Sequence, residues 1–415
     1  MKRTRVVNNT VMLYLMSIAK LIFPLLTMPY LTRILSEDGY GFVAYVRSCM
    51  TYMQLIVDFG FILSSVKDIV NADGDKDKIG VIAGNTVVSK LFLCIASGSL
   101  LAVMCAYIDA LRINITFVVL SFASVVLSSF LLDFLFRGIE KMHYITWIYV
   151  VSKGVSTALT FVLVRGDESV LWIPILDVIA TIVAVLMSLA IASRLEIRIR
   201  VSGASDCLAL IKDSFVYFLS NVATTAFSAL NTLLIGIYIT DIGEVAHFSV
   251  CLSIISAIQG LYAPISSSIY PHMIKEKSLS FIHKVLAIFM PIVAVGCLIS
   301  FFASKLALYV VGGEGYVEAY PILRCMIPIL FFSFPAQIYG WPTLGAIGKV
   351  RLTTATTVIS AAVQVAGLFL LISFDRFDLV SIAILRSITE AVLMGTRIWA
   401  TYKNKDKFNR QEKKK

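Results

Sequence analysis

Apolar runs of about 20 residues recur along the whole chain of 415 residues, with only short breaks between them. Hydrophobic residues make up 58% of the chain and charged residues 15%, whereas a soluble domain carries roughly a quarter of charged residues. The longest break, residues 194–213, is too short for a folded domain. Lipid is therefore the solvent for most of this chain, and segments that cross lipid must be helical because their backbone polar groups find no water there.

Twelve of these runs are long enough to span a bilayer. They are predicted at residues 10–35, 42–66, 79–107, 115–136, 144–164, 171–193, 214–240, 247–270, 285–311, 319–341, 353–374 and 379–400. An even number puts both termini on one side. The termini and the loops on that side hold 24 Lys and Arg, against three in the opposite loops. The positive-inside rule therefore predicts cytoplasmic termini.

The net charge of +10 comes from basic residues at helix ends and in the tail 401–415, which is predicted to be a basic, solvated cytoplasmic segment. No basic domain exists that would indicate nucleic acid as a partner. Membrane lipids are the expected partner of the spans, and contact of the tail with anionic lipid is the secondary alternative to a solvated tail. The seven cysteines lie singly, without a CxxC or a Cys/His cluster, so we predict no structural metal and no cofactor.

Two similar segments indicate an internal repeat. GIEKMHYIT at 138–146 matches AIGKVRLTT at 346–354, with Ile, Lys and Thr in register 208 residues apart. Six spans per half would give both halves the same orientation. We predict an all-α polytopic membrane protein of about 12 transmembrane helices in two parallel six-helix halves, residues 1–200 and 201–400, around a central cavity. A duplicated chain can also be a static scaffold, but charges within its spans argue against that.

Four short stretches resemble the Wzx-type O-antigen and polysaccharide repeat-unit flippases of the multidrug/oligosaccharidyl-lipid/polysaccharide exporter superfamily. They are PYLTRIL at 29–35, VDFGF at 57–61, FRGIEKM at 136–142 and IQGLYAP at 258–264. The resemblance implies an undecaprenyl-pyrophosphate-linked oligosaccharide as substrate, moved across a bacterial inner (cytoplasmic) membrane by alternating access. It also implies the polysaccharide polymerase machinery as a candidate partner. These stretches identify a family better than they identify a sugar.

Charged residues within the spans mark the expected binding site, because each costs at least ~2.5–3.5 kcal/mol unless it faces a partner or a wet cavity. Counting along the helices places Lys20, Lys90 and Lys153 near the middle of the membrane and Arg47, Arg324 and Arg386 in the periplasmic half. A cationic cavity of these six residues would attract an anion such as pyrophosphate. Arg grips phosphate oxygens bidentately, whereas Lys acts as a movable point charge.

Two acids within the spans are candidates for coupling to H+ or Na+. Asp58 lies in the VDFGF stretch, towards the cytoplasm, and a structural ion pair is the alternative for it. Glu390 lies near the middle and is spaced i,i+4 from Arg386, so these two can also neutralise each other. Asp177 is the single acid predicted in the periplasmic half, beside several cations.

Polar residues recur every three to four positions along span seven. Asn221, Thr225, Ser228 and Asn231 belong to this stripe, which is predicted to line the cavity and hydrogen-bond sugar. Small polar residues also join helices to one another, so packing remains the alternative. Gly80 and Gly84 form a GxxxG pair that permits close helix contact, although such spacings are common by chance.

An enzyme is not predicted, because the periplasmic loops are short, hold no His, and no HExxH or GxSxG motif occurs. A drug or cation antiporter of the same superfamily would need a cavity dominated by acids or aromatic residues. A peptidoglycan-precursor flippase would share a cationic cavity, and the sequence separates it poorly from the leading hypothesis.

Overall fold

The computed structural model describes the backbone of residues 2–239 and 241–408, and their side chains except those of residues 2–10, 13, 216, 220, 223–229, 267 and 271. Within these ranges the chain is helical, without a strand. The helices are α1 (Lys2–Ile34), α2 (Glu37–Asp58), α3 (Phe61–Asn71), α4 (Lys76–Tyr107), α5 (Asp109–Arg112), α6 (Ile115–Ser128), α7 (Asp133–Gly138), α8 (Met142–Leu163), α9 (Trp172–Arg194), α10 (Ala204–Tyr238), α11 (Ile242–Gly260), α12 (Tyr262–Glu276), α13 (Leu279–Phe302), α14 (Ser304–Val311), α15 (Tyr320–Ile338), α16 (Val350–Ser373) and α17 (Leu379–Lys403).

Eleven segments in the described part of the chain are long and apolar enough to cross a membrane. The predicted seventh span, 214–240, falls in α10, several of whose side chains lie outside the described residues. By backbone contacts the chain divides into an N-terminal unit, Met1–Thr225, and a C-terminal unit, Ala226–Lys415. The predicted six-helix halves with a boundary at residue 200, and the cavity around which they are arranged, stay predictions.

Several predicted spans contain a break that hydropathy does not reveal. The second span, predicted as continuous over 42–66, is divided into α2 and α3 at Phe59 and Gly60, whose φ angles are 42° and 81°. Left-handed residues end an α-helix, and Gly60 adopts that conformation without a Cβ clash. The eighth span is also divided, into α11 and α12, but the break falls at Leu261, whose φ of −70° is not left-handed. Apolar composition is continuous across these breaks, so it cannot report them.

The tenth span ends in a wide π-type turn, Tyr339–Gly345, rather than in a straight helix. Pro342 has no N–H to donate to the carbonyl of Ile338, and the hydroxyl of Thr343 donates to that oxygen instead, at 2.8 Å. Nη1 of Arg397 on α17 donates to the carbonyl of Ala336 at 2.8 Å. These two side chains satisfy backbone groups where the helix changes direction.

The two segments of the internal repeat have the same backbone geometry. In the first, Glu140 has a φ of 57° and the N–H of Lys141 donates to the carbonyl of Phe136 at 2.8 Å. In the second, 208 residues later, Gly348 has a φ of 75° and the N–H of Lys349 donates to the carbonyl of Leu344 at 2.9 Å. The sequence match therefore marks the same left-handed turn before α8 and before α16.

The turn between α1 and α2 is joined to the turn between α8 and α9. The hydroxyl oxygen of Ser36 accepts a hydrogen bond from the N–H of Gly39, which caps α2. The Asp167 carboxylate accepts from the N–H of Ser36 at 3.1 Å. On α1, the hydroxyl of Tyr30 donates to the carbonyl of Val164 at 2.7 Å, just beyond the end of α8. These contacts hold α1, α2 and α8 together at the end where the candidate site lies.

Candidate functional site

Two neighbouring cavities lie within the N-terminal unit. The first, of about 270 Å³, is formed by side chains of α1, α2, α8 and α9. The second, of about 180 Å³, is formed by side chains of α1, α8 and α9 together with Leu131 and with Asp133, the first residue of α7. Tyr149 and Lys153 of α8 line both cavities. The fold thus places one Lys and one Tyr at the junction of two cavities that have both polar and apolar side chains in their walls.

The first cavity contains an ion pair beside an additional cation. Nζ of Lys153 donates to Oδ1 of Asp177 on α9 at 2.6 Å, with 39% and 29% of the two side chains exposed. Arg47 of α2 lines the same cavity and is exposed. No acid lies within ion-pairing distance of Arg47 among the residues that the structure describes. Two cations and one carboxylate therefore face this space.

The second cavity contains Lys20 and Asp133 in addition to Lys153. Nζ of Lys20 lies 5.5 Å from the centroid of the Tyr149 ring, within the range of a cation–π contact. Lys20 itself is exposed. Asp133, at the N-terminus of α7, supplies a carboxylate to the same space. Each cavity thus has two Lys or Arg side chains and one Asp.

Lys90, the third cation predicted near the middle of the membrane, lies in a separate cluster. Its Nζ donates to Oδ1 of Asp58 at 2.9 Å, and only 9% of the Lys90 side chain is exposed. The other carboxylate oxygen of Asp58 accepts from Nε2 of Gln54 at 2.9 Å, and Gln54 accepts in turn from the hydroxyl of Ser128. Neither Lys90 nor Asp58 lines the two cavities. The ion pair that was the alternative for Asp58 is present.

The remaining predicted charges lie in the C-terminal unit. Nη1 of Arg386 donates to Oε2 of Glu390 at 3.3 Å, and both side chains are buried. The pair that their i,i+4 spacing allows is therefore formed. Arg324 lies against aromatic rings, with its guanidinium carbon 4.7 Å from the Phe301 centroid and 4.9 Å from that of Tyr320. Its Nε donates to the carbonyl of Phe301 and to a neighbouring Ser hydroxyl.

The polar stripe of span seven lies in part within the described residues. Asn231 is fully buried, and its side-chain oxygen accepts from Nε2 of Gln364 at 2.8 Å. Thr389 donates to Oε1 of Gln364 at 2.6 Å, which completes a buried polar chain across α10, α16 and α17. This part of the stripe joins helices. Asn221 is partly buried, and the side chains of Thr225 and Ser228 lie outside the described residues.

Of the six predicted cations, the structure brings Lys20, Arg47 and Lys153 together and leaves the other three elsewhere. Counting along single helices put Asp177 and Lys153 at different depths, and Asp58 and Lys90 likewise, yet both pairs are in contact. The method ignores helix tilt and the reach of a Lys side chain, which spans about one helical turn. The acids of the cavities, Asp177 and Asp133, were not among the residues predicted for the site.

Residues 6–277 match the family described as "Polysaccharide biosynthesis protein". The chain belongs to this family. It is 26% identical over 344 residues to a protein of Escherichia coli K12 named "Putative O-antigen transporter", covering 80% of this chain and 82% of that protein. A Shigella dysenteriae protein with the same name is 27% identical over 65% of this chain and 67% of its own length. The predicted relationship of this polysaccharide biosynthesis family member to Wzx-type flippases is confirmed.

Solved structures of the same fold include an inward-facing MATE multidrug resistance transporter of the MOP superfamily, with a TM-score of 0.69 over 94% of this chain and 98% of that one. The structure of the lipid II flippase MurJ in an inward closed conformation has a TM-score of 0.70, covering 95% of this chain and 87% of that one. Sequence identity is 15% and 11%, so these likenesses concern the fold alone. The predicted all-α polytopic membrane protein of about twelve helices is confirmed.

Proposed function

We propose that this family member is a flippase that moves an undecaprenyl-pyrophosphate-linked oligosaccharide, an O-antigen or related polysaccharide repeat unit, across the bacterial inner membrane. The observation that supports it is the cationic lining of the first cavity, where Arg47 and Lys153 face one space. A diphosphate is the part of such a substrate that two cations can hold, through bidentate Arg contacts and a Lys point charge. The names of the two O-antigen transporter relatives agree with this substrate class.

The proposed mechanism is alternating access without covalent chemistry. Arg47 and Lys153 would hold the diphosphate, and Lys20 would receive it at the second cavity, which shares Lys153 and Tyr149 with the first. Because Lys153 lines both cavities, the anion would stay in contact with a cation as it passes from the first cavity to the second. Both termini are proposed to lie in the cytoplasm. H+ or Na+ as a driving ion and the polysaccharide polymerase as a partner are part of the same hypothesis.

Deletion of the gene tests the proposed function. Surface polysaccharide is expected to disappear, and lipid-linked oligosaccharide is expected to accumulate on the cytoplasmic leaflet, as reported by its accessibility to an impermeant glycosidase in oriented vesicles. A plasmid copy of the wild-type chain restores both. Intermediates that still reach the periplasmic leaflet at the normal rate, in a strain without a redundant flippase, would exclude the proposal.

A flippase for peptidoglycan precursors is the alternative that the fold allows, because MurJ has the same fold. The two are separated by expressing this chain in cells depleted of their lipid II flippase. The leading proposal expects no rescue of growth, whereas rescue would favour the alternative. A drug antiporter, in turn, is expected to raise resistance to cationic dyes, and the predominance of cations in the first cavity argues against that activity.

A further inference from the structure

One carboxylate lies among the cations that the proposed function assigns to the diphosphate. Asp177 accepts from Nζ of Lys153 at 2.6 Å, and both side chains line the first cavity with Arg47. A residue that merely attracts an anion gains nothing from an acid in contact with it. The position of Asp177 therefore requires a separate explanation.

We infer that Asp177 is a counter-anion of Lys153, an inference that rests on the proposed function. The diphosphate displaces the Asp177 carboxylate from Lys153 on binding, and the carboxylate returns to Lys153 during release. Without substrate, Asp177 neutralises Lys153, so that the cavity does not hold two uncompensated cations. With substrate, the phosphate oxygens take the place of the carboxylate. The ammonium group of Lys153 can exchange partners because its stem is flexible and 39% of the side chain is exposed.

The Lys153–Asp177 pair is built differently from the buried Arg386–Glu390 pair, whose two residues lie on one helix. Lys153 and Asp177 are contributed by different helices, α8 and α9, and an open cavity adjoins the contact. A competing anion can therefore approach Lys153 without unfolding either helix. Release would otherwise be slow, since a diphosphate held by two unopposed cations at low dielectric is bound strongly.

The test measures substrate affinity and transport rate separately in the full-length Asp177→Asn variant. Asp177→Ser is a second variant, which removes the same charge but has a side chain of different shape. Equilibrium binding uses undecaprenyl pyrophosphate and the purified chain in nanodiscs. Each variant is expected to bind about tenfold more tightly, equivalent to ~1.4 kcal/mol, and to have a lower maximal transport rate with a lower KM. Asp177→Glu, which keeps the charge, is expected to restore most of both values.

The outcomes separate this inference from the function on which it rests. Wild-type chain that binds undecaprenyl pyrophosphate, with neither uncharged variant binding more tightly, would overturn the exchange role and leave the flippase proposal intact. A wild-type chain that binds no undecaprenyl pyrophosphate would overturn both. A purely structural role for Asp177 would lower the thermal stability of the variants and weaken binding, which is the opposite of the expected result.

An independent observation concerns the connection between α9 and α10. Residues 197–203 have no regular secondary structure and run along the first turns of α4. The N–H of Arg200 donates to the carbonyl of Gly80 at 3.1 Å. The N–H of Ser202 donates to Oδ1 of Asn85 at 3.1 Å, and Nδ2 of Asn85 donates back to the Ser202 hydroxyl at 2.8 Å. A connecting loop is thus attached to one helix by backbone and side-chain bonds.

The GxxxG pair on α4 makes this attachment possible. A Cβ on Gly80 would overlap the carbonyl oxygen of Arg198, and one on Gly84 would overlap that of Arg200. The distance between the two glycines matches the distance between the two carbonyl groups. Four residues of a helix rise ~6 Å, and two residues of an extended chain advance ~6.6 Å. The pair that the sequence indicates as a helix–helix contact therefore accommodates the backbone of this connection.

We propose that this connection is a permanent clasp that keeps the first part of α10 attached to the N-terminal unit during transport. Immediately after the connection, the carbonyl of Cys207 accepts from the buried hydroxyl of Ser89 on α4. Farther along α10, the hydroxyls of Ser64 and Ser214 are 2.6 Å apart and the Phe59 and Phe218 rings are stacked at 4.4 Å. The clasp and these contacts would make residues 197–218 move with α2, α3 and α4.

A disulfide between Asn85→Cys and Ser202→Cys, in a chain whose native cysteines are replaced, tests whether the clasp opens. Transport by the oxidised protein is expected to equal transport by the reduced protein within about twofold. A tenfold decrease on oxidation that a reductant reverses would overturn the proposal.

Glycine replacement tests whether the clasp is needed. Gly84→Leu displaces the connection and is expected to lower transport at least tenfold at equal protein abundance. Gly296→Leu on α13 is the matched control, because a Cβ there meets no atom within 4 Å. Equal transport by the Gly84→Leu and Gly296→Leu variants would show that the clasp has no role in transport.

Discussion

Each of the two units contains an ion pair within membrane-spanning helices, and the pairs differ in how they are built. In the C-terminal unit Arg386 and Glu390 lie one turn apart on α17, with 7% and 6% of their side chains exposed. In the N-terminal unit Lys153 and Asp177 come from different helices, with 39% and 29% exposed. A cavity adjoins the second pair. The first pair is closed to solvent, whereas the second is open to a third charge.

The placement of the two partners determines whether a charge within a span is available for binding. Two partners on one helix remain in contact when neighbouring helices move. Such a pair neutralises its own charges and offers neither of them to a ligand. Partners on separate helices next to a cavity can exchange with an incoming ion. Charge within a span is therefore a weak indicator of a binding site until its partner and its exposure are known.

The largest effect is expected from breaking the closed pair. Glu390→Gln removes the carboxylate that faces a buried guanidinium, and the loss of one partner of a buried pair costs about 3–5 kcal/mol. We expect a lower Tm of the purified chain in detergent and lower abundance in the membrane. The control, Arg386→Leu with Glu390→Leu, removes both charges and is expected to recover most of the stability. A normal Tm for Glu390→Gln with a selective loss of ion-dependent transport would instead favour the coupling role predicted for Glu390.

Asp58→Asn is expected to have the next largest effect on stability. It leaves the nearly buried Lys90 ammonium without its carboxylate, which costs about 2 kcal/mol. Gln54 can still bind the amide, so the local hydrogen-bond chain is kept in part. Thermal unfolding and transport are measured on the same preparation. If Asp58 serves only in the ion pair, transport per folded molecule is expected to stay near the wild-type value. If Asp58 couples transport to an ion, transport is expected to be lost at unchanged stability.

Much of the fold could be predicted from the sequence, and less of the site. Apolar runs report burial in lipid directly. The repeat at 138–146 and 346–354 predicted an internal duplication, and the left-handed turn that both segments share was found only in the structure. The breaks at Phe59 and Gly60 could not be predicted, because apolar composition is the same on both sides. Asp177 was missed because the depth of a residue on one helix does not say which side chain of the next helix it meets.

Lys153→Gln removes one partner of the Lys153–Asp177 pair, which adjoins the first cavity. The substitution removes a cation from both cavities but leaves Asp177 partly exposed to the cavity, where water can solvate it. We expect transport to fall about ten- to a hundredfold, equivalent to ~1.4–2.7 kcal/mol, with little change in Tm. Lys153→Arg keeps the charge and is expected to retain more activity. A Tm loss as large as that of Glu390→Gln would mean that the two pairs do not differ in kind.

The smallest effect is expected at the ring that joins the two cavities. Tyr149→Leu removes the aromatic face 5.5 Å from Nζ of Lys20, a contact worth about 0.5–1 kcal/mol. If Lys20 receives the diphosphate after Lys153, loss of this contact lowers transport about two- to fivefold. Tyr149→Phe keeps the ring and is expected to lie closer to wild type than Tyr149→Leu in the same vesicle assay. Equal transport by the two variants would mean that the hydroxyl or the packing of Tyr149 matters and that Lys20 does not depend on the ring. The contact between the Tyr149 ring and Lys20 would then have no part in transport.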